Sequence, residues 1–341
     1  MSIFMSLTAT ITIASDLRKE INLRGRWKFE IGDDMKWANP EFDDSDWESI
    51  YVPERWEEDG YPGYDGYAWY RKQIRIPSQL KDNILYLLFG QIDDVDEVFF
   101  NGVKIGSTGN FPPDYRTAYN VNRKYYIPKN LVEFNEDNMI AVRVYDDQMG
   151  GGIVNGDLGI YSVRKYLAPD IELGGYWKFK TGDREVWGNE DYDDSHWDQI
   201  IVPGFWESQG YSDYDGFAWY RKQFIIPDDY NHDRIILMLG KIDDVDQVFF
   251  NGVRIGGTGP IPENDYRGQY GDWYARDRAY ILPDDLIKRG SQNIIAVRIY
   301  DAWLDGGIYD IPVGIIRYDR YRRIERRKED SVWDLFDLIF N

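Results

Sequence analysis

The stretch that decides the fold is GQIDDVDEVFFNGVKIG at residues 90–106, which the chain repeats as GKIDDVDQVFFNGVRIG at residues 240–256. In the first copy, Asn101 and Gly102 separate two apolar runs. An Asn-Gly pair supplies the two positive φ angles of a type I′ turn, whose twist matches that of the strands it joins. The stretch therefore predicts a β-hairpin in each half of the chain.

The similarity between the halves extends well beyond this hairpin. Residues 27–109 match the second half at a constant offset of 150, and residues 138–146 match at an offset of 155. The second copy has thus gained five residues between Gly259 and Arg278. A period this long exceeds that of a solenoid unit and indicates a duplicated domain.

Each copy has the pattern of a β-sandwich. Residues 69–76 alternate between apolar and polar, residues 84–89 form an apolar run that ends at Gly90, and residues 139–145 alternate again. Long helical periodicity is absent from the sequence. Many short strands between turn signals predict an all-β chain made of two tandem jelly-roll sandwiches.

Motifs in a fixed order connect each copy to a known family. In the first copy they are Phe42-Asp43-Asp44-Ser45, Trp47, Val52-Pro53, Trp69-Tyr70-Arg71-Lys72, Ile92-Asp93-Asp94-Val95-Asp96, Asn101-Gly102 and Ile140-Ala141-Val142-Arg143-Val144. This set resembles the sugar-binding jelly-roll domain of glycoside hydrolase family 2, and it is similar to the jelly roll within sialate O-acetylesterases. The resemblance implies a galactose-binding-like fold. Those enzymes carry their catalytic carboxylates on a separate domain, whereas the two copies fill about nine-tenths of this chain.

We expect four segments. Residues 1–19 form an N-terminal segment, 20–165 the first jelly roll, 166–318 the second, and 319–341 a basic and amphipathic tail. The N-terminal segment resembles part of a signal peptide without its positive region, which favours a secreted or periplasmic protein. A first β-strand over residues 6–13 is the alternative.

Composition excludes several classes of function. Asp plus Glu number 60 against 40 for Lys plus Arg, so the formal charge is −20 and no nucleic-acid partner is expected. The chain has no Cys, which excludes thiol catalysis and thiolate metal sites. No apolar run reaches the roughly 18 residues of a transmembrane segment. Aromatic residues make up 16% of the chain, which suits both a sandwich core and a surface that stacks on sugar rings.

One acidic group in each copy is a candidate calcium site, because Ca²⁺ prefers carboxylate oxygens. Its members are Asp93, Asp94 and Asp96 in the first copy and Asp243, Asp244 and Asp246 in the second. The alternative is a structural turn in which the Asp side chains accept hydrogen bonds from the backbone. Arg71 and Arg221 are expected to form buried ion pairs with a nearby Asp.

Aromatic and charged loop residues form the candidate carbohydrate site, since ring faces stack on sugars and charged groups fix hydroxyls. They are Tyr64, Asp65, Tyr214, Asp215, Tyr266, Arg267, Tyr270, Trp273, Tyr274, Trp303 and Asp305. Most belong to the second copy, which is the preferred binder. The alternatives are a tight turn packed by its Tyr, and a long loop that packs on the neighbouring domain.

Three functions remain open from the sequence. The first is a non-catalytic protein that binds poly- or oligosaccharide and acts as an accessory to a glycoside hydrolase. The second is a structural or assembly protein, in which a short C-terminal helix from Ser331 docks a partner, another copy or a membrane surface, or else folds back. The third is a hydrolase of O-glycosyl bonds, for which His196 and His232 offer no triad, since the first copy has Asp46 and Asp82 at those positions.

Overall fold

The structure, a computed structural model, describes residues 17–163, 168–262 and 271–326. The first half forms eleven strands within these residues: β1 (Leu17–Asn22), β2 (Gly25–Ile31), β3 (Glu48–Val52), β4 (Gly66–Arg75), β5 (Leu85–Asp93), β6 (Val95–Phe100), β7 (Val103–Thr108), β8 (Asn122–Ile127), β9 (Asp137–Asp146), β10 (Gly152–Asn155) and β11 (Gly159–Val163). The second half forms β12 (Ile171–Glu172), β13 (Gly175–Thr181), β14 (Asp198–Val202), β15 (Gly216–Ile225), β16 (Ile235–Asp243), β17 (Val245–Phe250), β18 (Val253–Thr258), β19 (Asp277–Leu282), β20 (Gln292–Asp301), β21 (Gly307–Ile308) and β22 (Val313–Arg317).

The helical segments are short. The described 3₁₀ turns are Met35–Ala38, Trp56–Asp59, Ser78–Leu80, Lys129–Leu131, Glu185–Gly188, Glu207–Gln209, Trp273–Ala275 and Asp284–Leu286. An α-helix, α1, spans residues 318–326. A short C-terminal helix is present, as the fold class predicts, but α1 lies in the basic run that precedes Ser331. The helix predicted from Ser331 onward falls outside the described residues and stays a prediction. Within the described ranges, no helix has the length and apolarity needed to cross a bilayer.

Each copy is a sandwich of two antiparallel sheets, which confirms the all-β prediction. The six-stranded sheet of the first copy has the order β3-β2-β4-β9-β6-β7, and the five-stranded sheet has the order β1-β11-β5-β10 with β8 also on β5. The second copy repeats this with β14-β13-β15-β20-β17-β18 and with β12-β22-β16-β19, where β21 also pairs with β16. The predicted hairpin joins β6 to β7, and its turn has φ values of 47° at Asn101 and 80° at Gly102.

Both faces of the central strand β4 are buried. Tyr70 packs into the core between the sheets, while Trp69 packs on the outer face with Trp47 and Phe99. Arg71 is buried as predicted, and its Nε donates to Asp44 Oδ2 at 2.7 Å. The pair Arg221–Asp194 repeats this contact at 2.7 Å. In each copy this ion pair holds the loop that contains Asp44 or Asp194 against the outer face of the six-stranded sheet.

The two copies share an apolar interface. Ile236, Met238 and Ile316 of the second copy belong to the same buried cluster as the core of the first copy, and Ile324 of α1 joins it. The Tyr126 hydroxyl donates to Glu172 Oε1 at 2.8 Å across the same boundary. The described part of the basic tail therefore folds back on its own domains.

Candidate functional site

Each copy carries a cluster of three Asp carboxylates at one end of its sandwich. β5 ends at Asp93 and β6 begins at Val95, so Asp94 lies in the tight connection between them. β9 runs beside β6, with Tyr145 opposite Val95, and this pairing brings Asp146 to the connection. One oxygen from each of the three carboxylates lies within 4.8 Å of the others. We refer to these residues as the first acidic cluster.

Asp146 is the most deeply placed member of the first acidic cluster. Its side chain has no solvent exposure, and neither carboxylate oxygen has a hydrogen-bond partner among the residues that the structure describes. Burial raises the pKa of Asp146 to about 8, and the carboxylates of Asp94, Asp93 and Glu57 add to the rise. A carboxylate in such a place is stabilised only by a proton or by a cation.

The Asp94 carboxylate, in contrast to that of Asp146, has hydrogen-bond donors around it. It accepts a hydrogen bond from the Tyr115 hydroxyl at 2.6 Å, another from the Thr117 hydroxyl, and one from the Asp147 backbone N–H at 3.1 Å. Burial alone would raise the pKa of Asp94, but these donors outweigh burial and keep it below its usual value. Burial and the neighbouring Asp94 raise the pKa of Asp93 to about 6.

The second acidic cluster consists of Asp243, Asp244 and Asp301, again with one oxygen of each within 4.8 Å of the others. Asp301 is fully buried, and its Oδ2 has no hydrogen-bond partner within the described part of the chain. Burial, with repulsion from neighbouring carboxylates, raises the pKa of Asp301 to about 8 and that of Asp243 to about 9. The negative charge of the second acidic cluster is therefore also poorly compensated by its surroundings.

The third Asp of each predicted calcium group lies elsewhere. Asp96 has no exposed side-chain area and accepts Arg123 Nε at 2.7 Å. Asp246 accepts Arg278 Nε at 2.8 Å in the same way. Both are buried ion pairs between the two sheets, so Asp146 and Asp301 complete the acidic clusters in their place.

The Tyr-Asp-Gly loops pack as tight turns beside the clusters. The Tyr64 hydroxyl donates to the Tyr67 carbonyl at 2.6 Å, and Tyr214 makes the same contact with Phe217 at 2.6 Å. The carboxylates of Asp65 and Asp215 lie close enough to contribute to the raised pKa of Asp146 and of Asp301, respectively. The loops thus supply further negative charge to the clusters.

The loop residues predicted in the second copy occupy different environments. Trp273 is partly buried against the cluster of Val245 and Tyr300, and the Arg276 guanidinium lies 3.9 Å from its ring centroid. Tyr274 is about half exposed, and its carbonyl accepts the Tyr309 hydroxyl at 2.8 Å. Tyr266, Arg267 and Tyr270 lie outside the described residues.

A cleft of about 480 Å³ is lined by residues of both copies. The first copy contributes Arg116, Lys124 and Tyr125, together with several hydroxyl and amide side chains. The second copy contributes Phe205, Glu207, Asp305, Tyr309 and Asp310. Asp305 is the predicted site residue found in this lining, whereas its neighbour Trp303 is not in the lining and is 55% exposed.

The cleft combines an aromatic wall with buried acceptors. The rings of Phe205 and Tyr309 stack with centroids 4.8 Å apart and planes 12° apart. Glu207 accepts the Gly306 N–H at 2.9 Å through Oε2, while its Oε1 is buried and unpaired as far as the described residues show. Burial raises the pKa of Glu207 to about 9, and burial also raises that of Asp305. Such a cleft suits a ligand with many hydroxyl groups and an apolar ring face.

Sequence reasoning missed several of these residues, although some left a signal. Asp146 and Asp301 end the repeated stretch that matches at an offset of 155, and Glu57 and Glu207 match at an offset of 150. Phe205 has no such signal, because the first copy has Arg55 at its equivalent position. A cleft between domains depends on how the domains pack, which a repeat pattern does not encode.

Comparisons with known proteins agree with the sandwich architecture. A family model described as the second all-β domain of β-galactosidase matches residues 32–150. A β-galactosidase of Bacteroides ovatus is 27% identical over 179 residues, which cover 48% of this chain and 20% of the relative. A β-glucuronidase of Formosa agariphila is 25% identical over 157 residues, which cover 41% of this chain and 15% of the relative.

Solved structures align with this chain only at low TM-scores. A glycosyl hydrolase family 2 member from Bacteroides cellulosilyticus aligns with a TM-score of 0.38 at 16% identity, covering 84% of this chain and 32% of that chain. The domains of this chain resemble the all-β domains of glycoside hydrolase family 2, as the motifs predicted. The chain spans about a fifth or less of the length of these curated relatives.

Proposed function

We propose that this chain is a non-catalytic carbohydrate-binding protein that takes an oligosaccharide, or a segment of a polysaccharide, in the cleft between its two copies. The observation that carries the proposal is the cleft itself, in which the Phe205–Tyr309 aromatic pair stands beside buried carboxylates and the cations Arg116 and Lys124. Aromatic faces and oriented hydrogen-bonding groups are what a sugar ring requires.

The size of the cleft supports a sugar ligand. Small-molecule sites occupy about 300–1,000 Å³, and a cleft of about 480 Å³ falls within this range. Several hydroxyl and amide side chains of the first copy also line the cleft and can exchange hydrogen bonds with the hydroxyl groups of a sugar.

The other site residues predicted from the sequence have secondary roles in this proposal. Asp305 contributes directly to the cleft, whereas the exposed rings of Trp303 and Tyr274 lie outside its lining. Asp215 and Tyr214 support the second acidic cluster, and Tyr64 with Asp65 do so in the first copy. We also propose that the protein is exported, that it acts as an accessory to a glycoside hydrolase, and that calcium is the ion on which its binding loops depend.

A glycan-array screen of the purified chain, with and without Ca²⁺, tests the proposal. Glycans that bind are then titrated by calorimetry against the native chain and against Phe205→Ala, which removes the aromatic wall. Trp303→Ala is the matched control, because that ring lies beyond the cleft lining. We expect Phe205→Ala to weaken binding at least tenfold and Trp303→Ala to change it much less. A well-folded chain that binds no glycan would contradict the proposal and favour the assembly function.

A further inference from the structure

We propose that each acidic cluster is a Ca²⁺ site, so that the chain binds two ions, one at Asp93, Asp94 and Asp146 and one at Asp243, Asp244 and Asp301. The carboxylate oxygens of each set already lie within 4.8 Å of one another, which is a separation that one cation between them can bridge. The proposal assigns ligands and stoichiometry, and it stands without the carbohydrate-binding function.

Unpaired buried oxygens distinguish these clusters from ordinary acidic surface. Asp146 is completely buried, and both its oxygens lack a partner among residues 17–163, 168–262 and 271–326. Asp301 is as deeply buried, with one such oxygen. Most buried polar side chains have a hydrogen-bond partner, so these oxygens require an explanation. A cation bound between the carboxylates supplies one, since it replaces the missing donors and cancels the repulsion.

The donor set points to calcium in preference to other metals. All the clustered ligands are carboxylates, and neither cluster contains His. Zinc in proteins favours His and Cys, of which this chain has two and none. Magnesium requires near-ideal octahedral geometry and keeps several waters, whereas Ca²⁺ accepts irregular sets of six to eight oxygens.

Near its acidic cluster the first copy has a cation, Arg55, and the second copy has no cation at the equivalent position. Arg55 lies near enough to Asp93 to lower its pKa, although burial remains the larger influence on that group. The second copy has Phe205 at the equivalent position, and Asp305, where the first copy has Gly150, adds negative charge near Asp243.

Calorimetry of the full chain after treatment with a chelator tests the proposal, with CaCl₂ as the titrant and no sugar present. We expect two ions per native chain, and one ion for Asp146→Asn and for Asp301→Asn. Asp46→Asn is the matched control, because Asp46 is exposed and belongs to neither acidic cluster. That variant should still bind two ions.

Terbium luminescence provides a second measurement on the native chain, so the test does not depend on the variants folding. The Tyr115 hydroxyl contacts Asp94 at 2.6 Å, and such a ring is well placed to sensitise Tb³⁺ bound to the first cluster. We expect Ca²⁺ to quench the signal by competition. The proposal would be overturned if millimolar Ca²⁺ produced neither heat nor displacement, or if Asp146→Asn still bound two ions. Since sugar is absent, either result would remove the calcium dependence from the proposed function and would leave glycan binding in the cleft to its own test.

Discussion

Replacement of Asp246 by Asn tests the role of the buried ion pair in the second copy. Neither Asp246 nor Arg278 has exposed side-chain area, and the Arg278 Nε donates to Asp246 Oδ1 at 2.8 Å. The remaining N–H groups of Arg278 donate to the carbonyls of Trp273, Arg276, Ile242 and Asp244. The substitution therefore leaves the Arg278 guanidinium buried. It removes the one carboxylate among the acceptors described for its N–H groups.

The magnitude follows from this geometry. Breaking a buried ion pair from one side costs about 3–5 kcal/mol. Asn keeps an oxygen that can accept one hydrogen bond, so we expect the lower end, a loss of about 3 kcal/mol in the free energy of unfolding. At a typical urea dependence of about 1–3 kcal/mol per molar, the midpoint falls by roughly 1–3 M.

Urea unfolding followed by tryptophan fluorescence measures this loss, in Ca²⁺ and in chelator. Asp96→Asn is expected to have a similar effect in the first copy, since Asp96 accepts Arg123 at 2.7 Å in an equally buried pair. Asp285→Asn, at an exposed position, should change stability by no more than about 0.5 kcal/mol. A loss below about 1 kcal/mol, or one seen only with Ca²⁺ present, would refute the assignment of Asp246 as a structural ion-pair partner.

Three further predictions concern the backbone and the acid range. Gly240→Ala should abolish folding of the second copy, because an added Cβ would lie 1.8 Å from the Asp310 carbonyl oxygen, and loss of the soluble folded chain would show it. Gly252→Ala should cost only about 1–2 kcal/mol in urea unfolding, because its φ of 82° is the main obstacle. Hydrogen bonds from Arg317 and Arg320 hold the pKa of Asp170 below its usual value against the effect of burial. Its contribution to stability is therefore complete above about pH 4 and lost as the pH falls further, so Asp170→Asn should flatten that part of a stability–pH curve.

The fold could be predicted from the sequence because its signals are local and occur twice. The Asn-Gly turns at Asn101 and Asn251 and the alternating strand at residues 69–76 are features that a short window contains. The Arg71 ion pair was predictable for a related reason, since both copies keep an Arg and an Asp in matching positions. A duplication acts as an internal control, because a residue retained in both copies marks a shared structural requirement.

The site was less predictable because its members come from different strands. Asp93, Asp94 and Asp96 are close in sequence, yet Asp96 turns to Arg123 in the core while Asp146 arrives from the neighbouring strand β9. Strand pairing, rather than sequence proximity, decides which carboxylates meet. The cleft is further removed from the sequence, because it requires both sandwiches and the interface between them.

The most direct test of the central claim is a calorimetric titration of a glycan found by array screening into the native chain and into Phe205→Ala. The account predicts saturable binding at one cleft per chain, with affinity reduced at least tenfold by Phe205→Ala and little changed by Trp303→Ala. Glycan binding that is unaffected by Phe205→Ala but lost in Trp303→Ala would place the sugar on the exposed loop and contradict the cleft. Absence of glycan binding from a folded chain would contradict the carbohydrate function itself.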